Sequence, residues 1–198
     1  KHWYQPELPQ LINFIDAFIA TCEASYQGIK NYHKYKGDIK IIPHLVDFPG
    51  NNEFPLKSNN LSVGCISRLS VEKGLDFLLG AFAKLTLDFP TSKLHIYGHG
   101  DDEKRLQELT SCLNIYDKVV FEGVYEPFVG IDKVARQHNI FVQPSLYESI
   151  PTTILELMAR KRCIVATKVG GIPELFADHN AGILVEKANT EDIYLNLK

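Results

Sequence analysis

The chain has 198 residues, a formal net charge of −3, and 45% hydrophobic against 23% charged residues. That is the composition of a soluble globular protein with one good core, or one domain plus a fragment. The acidic balance and the lack of a basic run exclude capture of nucleic acid by bulk electrostatics, so no nucleic-acid partner is expected.

Four cysteines, Cys22, Cys65, Cys112 and Cys163, are widely spaced and form no CxxC pair. Three lie in apolar contexts and read as reduced core thiols of a cytoplasmic protein. No Cys/His cluster has metal-ligand spacing, and no metal is expected. No signal peptide is expected. The longest apolar stretch, Leu11 to Cys22, is broken by Asn13 and Asp16 and is too short to span a bilayer.

In chain order, Lys1 to Pro9 reads as a frayed start, and Leu11 to Asp16 as a helix end. Ala17 to Cys22 reads as a buried strand, Glu23 to Tyr35 as a helix stopped by Gly37, and Asp38 to Ile42 as a strand. Together they make a βαβ piece, which implies parallel pairing. Pro43 to Asn60, with Pro43, Pro49, Gly50 and Pro55, has linker composition.

A longer alternation starts at Leu61. Strands are expected at Leu61–Ser67, Lys93–Gly98, Lys118–Phe121, Ile140–Gln143, Cys163–Thr167 and Gly182–Val185. Helices are expected at Lys73–Phe89, Asp101–Leu113, after Pro151 and from Thr190. A helical or irregular stretch runs through Val134 and Ala135. Alternating strands and helices predict a doubly wound, Rossmann-like parallel sheet. Such folds bind ligands at the C-terminal ends of their strands.

That rule picks out the residues to inspect. After the first strand of this half come Arg68, Ser70, Glu72, Lys73 and Gly74. Arginine and lysine both suit phosphate oxygens. A loop arginine and an exposed helix-start lysine would have the same spelling. Gly98-His99-Gly100 resembles the start of a dinucleotide fingerprint, but Glu103 stands at the third glycine position, so two turn glycines are the better reading. No GxxxxGK[ST] occurs. Glu122-Gly123-Val124-Tyr125 offers backbone groups for a flat base, or an ordinary strand-end turn. His44, His95, His99, His138 and His179 are scattered; only His44 and His99 fall at loops near the expected cleft, and neither has a visible partner.

Pro144 to Glu174 reads as one loop–helix–strand–loop unit. Ser149 or Thr152 is expected to cap the helix, with Pro151 in its first turn. A helix N-terminus favours an anion such as phosphate. Glu148 precedes the helix and Glu156 stands eight positions on. Carboxylates there suit hydroxyl donors, which suggests a ligand with both phosphate and sugar. On spacing alone the pair also reads as solvated surface charge.

In this order the motifs resemble the retaining GT-B glycosyltransferases of group 1 (family 4), most securely over Leu61 to Val185. Ser67-Arg68-Leu69 with Glu72-Lys73-Gly74 looks like the family's phosphate loop, and Tyr97-Gly98-His99-Gly100 like its glycine turn. Phe121-Glu122-Gly123-Val124 looks like its base-contacting turn. Gln143-Pro144-Ser145 with Glu148 and Glu156 looks like its paired-glutamate element, and Gly170-Gly171-Ile172-Pro173-Glu174 like the loop that follows.

The resemblance implies roles. Arg68 and Lys73 neutralise the diphosphate of a nucleotide-sugar donor, and Glu148 accepts from hydroxyls of the transferred sugar. Glu156 accepts from the ribose, and the segment Ile150, Pro151, Thr152 and Thr153 holds the distal phosphate through its backbone N–H groups, Pro151 having none to give. Ser67, Gly98 and Val124 complete the donor site. Catalytic roles fall to Arg68, Lys73 and Glu148, with no cofactor and no metal.

The chain departs from the family pattern in places. Ser67 stands where glycine is common, and Ser149 replaces a common glycine. Arg160-Lys161-Arg162-Cys163 replaces a glycine and proline, which is expected to strain the turn after the helix. Pro43-His44-Leu45-Val46-Asp47 replaces Pro-Asn-Gly-Val-Asp.

The resemblance further implies that residues 1–49 are the last βαβ of an N-terminal domain, that 50–60 are a linker, and that 61–198 are the donor-binding domain short of its final helices. The expected protein is the donor half of a hexosyltransferase acting on a glycan or lipid-linked acceptor in polysaccharide biosynthesis, the acceptor being held by the missing domain. The piece alone is expected to be inactive. It is expected in the cytoplasm, with the full enzyme at the inner face of a membrane, and a homodimer through the N-terminal segment is a further expectation. A non-catalytic nucleotide-binding or scaffolding module of the same fold is the alternative. A dinucleotide-dependent oxidoreductase is disfavoured by the incomplete glycine fingerprint.

Overall fold

The structure, a computed structural model, describes residues 12–32, 34–49, 60–124, 130–177 and 182–198. The predicted frayed start, most of the predicted linker, Tyr125 and His179 lie outside the described residues. The chain divides into two compact units, Lys1–Leu45 and Val46–Lys198.

In the first unit a 3-10 turn, Ile12–Phe14, stands where a helix end was expected. Strand β1 (Ala17–Ala20), helix α1 (Glu23–Gln27) and strand β2 (Asp38–Ile41) follow. The strands pair in parallel, Ala17 opposite Asp38 through Ala20 opposite Ile41, as the βαβ reading requires. Two expectations are corrected. Of the predicted buried strand only Ala20 is buried within β1, because a two-stranded ribbon covers little of its own surface. The predicted single helix changes register at Gly28 and continues as a π-helical turn, Gly28–Tyr32, where glycine and asparagine weakly support α geometry.

The second unit contains β3 (Ser62–Ile66), α2 (Leu75–Asp88), β4 (Lys93–Tyr97), α3 (Glu103–Cys112) and β5 (Val119–Gly123). It continues with α4 (Gly130–Gln137), β6 (Ile140–Gln143), α5 (Thr152–Ala159), β7 (Cys163–Thr167), α6 (Ile172–Phe176), β8 (Ile183–Val185) and α7 (Thr190–Leu197). Six parallel strands form one sheet in the order β5-β4-β3-β6-β7-β8. This is the parallel α/β, Rossmann-like fold that the alternation predicts.

Strand alternation feeds two cores. Val63, Cys65, Leu94 and Ile96 pack with Leu78 and Phe82 of α2, Leu106 of α3, and Ile193 of α7. Ile66, Phe141, Ile164 and Ala166 pack with Ile131 and Val134 of α4, Ile154 and Leu157 of α5, and Phe176 of α6. Helices therefore cover both faces, which a parallel sheet requires. Helix α6 lies where only a loop was expected. Pro173 falls at its start, a position that needs no backbone N–H.

The cysteine expectation is half right. All four are free thiols, but only Cys22 and Cys65 are buried. Burial pushes the Cys65 thiol up to about 12, against opposing contributions from Ser67 and Lys73. Among the described residues no helix is long and apolar enough to cross a membrane.

Candidate functional site

The sheet order itself locates a crevice. Strands β3 and β6 are neighbours, with Val63 opposite Ile140. From β3 the chain moves to β4 on one side, and from β6 to β7 on the other. The loops leaving these two strands therefore diverge, and ligands bind in folds of this kind at such a switch point.

The loop after β3 is held by backbone bonds from Ser67 N–H to Tyr97 O and from Leu69 N–H to His99 O, both 3.0 Å. It turns through a short 3-10 segment, Val71–Lys73, which ends at Gly74 with φ 63°. A Cβ at Gly74 would meet Pro144 O at 2.3 Å, so both the left-handed backbone and the close approach call for glycine. Beside it, Leu146 N–H donates to Glu72 O at 2.8 Å. The β3 and β6 loops are thus stitched together, and Lys73 is delivered to Glu148.

Lys73 Nζ lies 2.5 Å from Glu148 Oε1, with both side chains largely shielded. The same oxygen accepts from Ser145 Oγ (2.8 Å) and Gln143 Nε2 (3.2 Å). Behind it, Gln143 Nε2 donates to Ser145 Oγ (2.9 Å), and Thr167 Oγ1 donates to Ser145 O (2.6 Å). Gly170, at φ 55°, lies against the Glu148 backbone, and a Cβ there would meet Glu148 O at 1.9 Å. Gly171 N–H donates to Ser149 O at 2.7 Å. The predicted Gly-Gly turn therefore presses on the loop that carries Glu148.

Helix α5 begins at the same place. The expected cap is corrected: Pro151 itself is the N-cap residue, extended at φ −73° and ψ 119°, and it makes no side-chain cap hydrogen bond. Thr152 already has helical geometry, and Ser149 stands upstream of the cap. The first-turn N–H groups are oriented toward the crevice end of the helix, without a carboxylate in that turn. Half-buried Ile150 precedes them.

Glu156 lies one turn along α5. Burial raises its carboxyl above the ordinary range, and Arg160 acts in the opposite sense. Arg160 is itself buried, its Nε donating to Asp132 Oδ1 (2.5 Å) and its Nη1 to Glu156 O (3.0 Å). It ties the end of α5 to α4. The turn that follows carries the expected strain on Lys161, at φ 56°.

The structure brings Lys73, Glu148 and the start of α5 together. Arg68 stands apart from that cluster. Its guanidinium is exposed and, among the described residues, reaches only Glu72 Oε1, at 3.4 Å. Ser67 turns its hydroxyl onto its own loop, donating to Arg68 O at 3.2 Å. Gly98 and Val124 sit at the far ends of β4 and β5, where Gly98 N–H donates to Gly123 O at 2.7 Å and Val124 is exposed.

Gln143 and Ser145 stand in the sequence only as part of the paired-glutamate motif, and Thr167 only as the end of a strand. The available signal was three polar residues at the C-terminal ends of two apolar strands that pair Gln143 with Ala166. The sequence also assigns no role to His95 or His138. His138 is buried, with Nδ1 2.7 Å from Ser62 Oγ and Nε2 2.8 Å from Tyr97 OH. His95 Nδ1 lies 2.7 Å from Glu122 Oε1. Burial lowers His138 to about 3, with His95 contributing in the same direction. Among the described residues no group of three or more His, Cys, Asp or Glu side chains forms a metal site.

A parallel α/β sheet with a shielded lysine–glutamate pair and a helix start at its switch point defines a site suited to a ligand bearing anionic and hydroxyl groups. Residues 60–197 match the family model of glycosyl transferases group 1, and the chain belongs to that family.

Among curated relatives, an uncharacterized glycosyltransferase of Methanocaldococcus jannaschii is 35% identical over 166 residues, covering 78% of this chain and 40% of the relative. A human phosphatidylinositol N-acetylglucosaminyltransferase subunit is 29% identical over 142 residues, covering 71% of this chain and 29% of the relative. The chain thus spans well under half the length of these relatives.

Solved structures share the fold. Sucrose-phosphate synthase from Thermosynechococcus elongatus superposes with a TM-score of 0.84 at 20% identity, covering 96% of this chain and 50% of that one. The Anabaena protein HepE, solved in complex with UDP and glucose, gives 0.83 at 22% identity, covering 99% and 57%.

Proposed function

We propose that this chain carries the donor site of a retaining, family 4 GT-B glycosyltransferase that uses a nucleotide-diphosphate sugar. The observation that carries the reading is the Lys73–Glu148 pair at the start of α5, at the switch point of the sheet. Lys73, with Arg68 arriving from the exposed side, neutralises the diphosphate. The N–H groups at the start of α5 hold the distal phosphate oxygens. Glu148 accepts from hydroxyls of the sugar, and Glu156 from the ribose. Val124 and Gly98 border the base, next to Ser67.

The chemistry follows from charge. Breaking the anomeric bond leaves negative charge on the departing diphosphate. A fixed cation and a helix end stabilise that charge where it develops, and the reading calls for no metal or cofactor. HepE, which shares the fold, was solved with UDP and glucose, which supports a nucleotide sugar as donor. Residues 61–198 serve as the donor domain, with residues 1–49 belonging to the acceptor side. The whole enzyme is a hexosyltransferase of polysaccharide biosynthesis, acting on a glycan or lipid-linked acceptor. It works in the cytoplasm, at the inner membrane face when the acceptor is lipid-linked.

The test is ligand-observed NMR of the chain against UDP, GDP and ADP, with and without their sugars, with NAD as control. Saturation transfer to one nucleotide, stronger with a particular sugar, is the expected result. Transfer to NAD in preference to every nucleotide sugar would overturn the reading.

A further inference from the structure

Glu148 is held by more than its ion pair. Three donors converge on Oε1, from Lys73, Ser145 and Gln143. A carboxylate oxygen offers about two lone-pair directions, so Oε1 is saturated. No donor among the described residues reaches Oε2. The arrangement fixes the plane of the carboxylate and leaves one oxygen with its full accepting capacity.

The supporting groups are rigid. Ser145 and Thr167 are fully buried, and Gln143 is 5% exposed. Gln143 ends β6 and Thr167 ends β7, so both stand on sheet backbone. Gln143 Nε2 donates to Ser145 Oγ, which orients the serine hydroxyl to donate onward to Glu148. Thr167 Oγ1 holds the Ser145 carbonyl. Lysine alone, on a four-carbon stem, would fix the charge but not the plane.

We propose that Ser145 and Gln143 are positioning residues for Glu148. They pin Oε1 and aim Oε2 at a hydroxyl of the donor's sugar. The inference rests on the donor-site reading above, and it concerns only the sugar-bearing part of the ligand.

The test is a double-mutant cycle read by calorimetry on the full 198-residue chain, with UDP and UDP-glucose first and the GDP and ADP pairs after. The quantity is the ratio of affinities for nucleotide sugar and free nucleotide. Ser145→Ala should lower that ratio roughly tenfold, the scale of one hydrogen bond to a charged group. Affinity for the free nucleotide should stay within about twofold, and in a Glu148→Gln background the same change should move the ratio less than about twofold. An equal loss in both backgrounds, or none in the wild type, overturns the proposal.

A second readout needs no nucleotide. In glutamate-labelled protein the Glu148 carboxyl carbon is assigned by its disappearance in Glu148→Gln. Its resonance should move in Ser145→Ala and in Gln143→Leu, with melting curves showing both variants folded. A resonance unmoved in both overturns the positioning role. If no nucleotide binds the wild type, the donor-site reading fails, and the carboxyl resonance alone decides whether Ser145 and Gln143 position Glu148.

Discussion

Two buried polar clusters sit at opposite ends of the same central strands. At the C-terminal ends, Glu148 gathers Lys73, Ser145 and Gln143 around one oxygen and keeps the other. At the N-terminal ends of β3 and β6, His138 takes Ser62 on one nitrogen and, on the other, Tyr97, the last residue of β4, leaving neither over. The first cluster is charged and open, the second neutral and closed. Burial and hydrogen bonding alone do not separate a site from a structural network. Spare capacity on a shielded, charged group does.

The largest expected effect tests that contrast directly. Lys73→Ala should lower affinity for the nucleoside diphosphate by about 100-fold, because a shielded charge-assisted contact is lost. His138→Phe should change that affinity less than about threefold, while costing about 2 kcal/mol of stability as Ser62 and Tyr97 lose a partner. Calorimetry and denaturant unfolding of both variants give the two numbers. Comparable losses of affinity would break the contrast.

Acid should act on the closed cluster. His138 is held at about 3, below the ordinary histidine value of 6.5, so the unfolded chain binds the proton first. The stability it contributes is present above about pH 6.5 and is lost as pH falls from there through about 3. Between about pH 6.5 and 5 the loss is about 2 kcal/mol, and His138→Phe should flatten that slope. A variant with an unchanged slope would assign the acid sensitivity elsewhere.

Glu156 sharpens the comparison from the functional side. Its carboxyl is raised by burial, so the folded state holds the proton more tightly than the unfolded state. The wild type therefore loses stability as pH rises through the range in which this carboxyl ionises, and Glu156→Gln does not. At about pH 7 the variant should be the more stable of the two by denaturant unfolding. It should also bind nucleoside diphosphate roughly tenfold more weakly, through a lost ribose contact.

The smallest effect is local. Lys161→Gly should stabilise the chain by about 1 kcal/mol, relieving a left-handed backbone that lysine tolerates poorly. A thermal midpoint that falls instead would contradict that account of the turn.

The sheet was largely legible, because parallel strands buried on both faces are spelled as apolar, β-branched runs. Ile140–Gln143 and Cys163–Thr167 fall where the sequence puts them. Helix α6 was not, since Gly170, Gly171 and Pro173 spell a turn as readily as a helix start. In the first unit Ala17–Ala20 reads as core but is mostly exposed, because an apolar run states a preference and not the cover it receives. Motif order singled out Lys73 and Glu148, which the structure pairs. Their support was not legible: Ser145 and Thr167 are twenty-two positions apart and meet only because β6 and β7 pair. The paired histidine cluster was hidden for the same reason, His138 and Ser62 being joined through β3 and β6.

The most direct measurement is the affinity gained when the sugar is added to the preferred nucleotide, by calorimetry, in the wild type and in Glu148→Gln. The account predicts a gain in the wild type that vanishes in the variant, with the free nucleotide bound equally by both. A gain that survives in Glu148→Gln would contradict the assignment of Glu148 to the sugar.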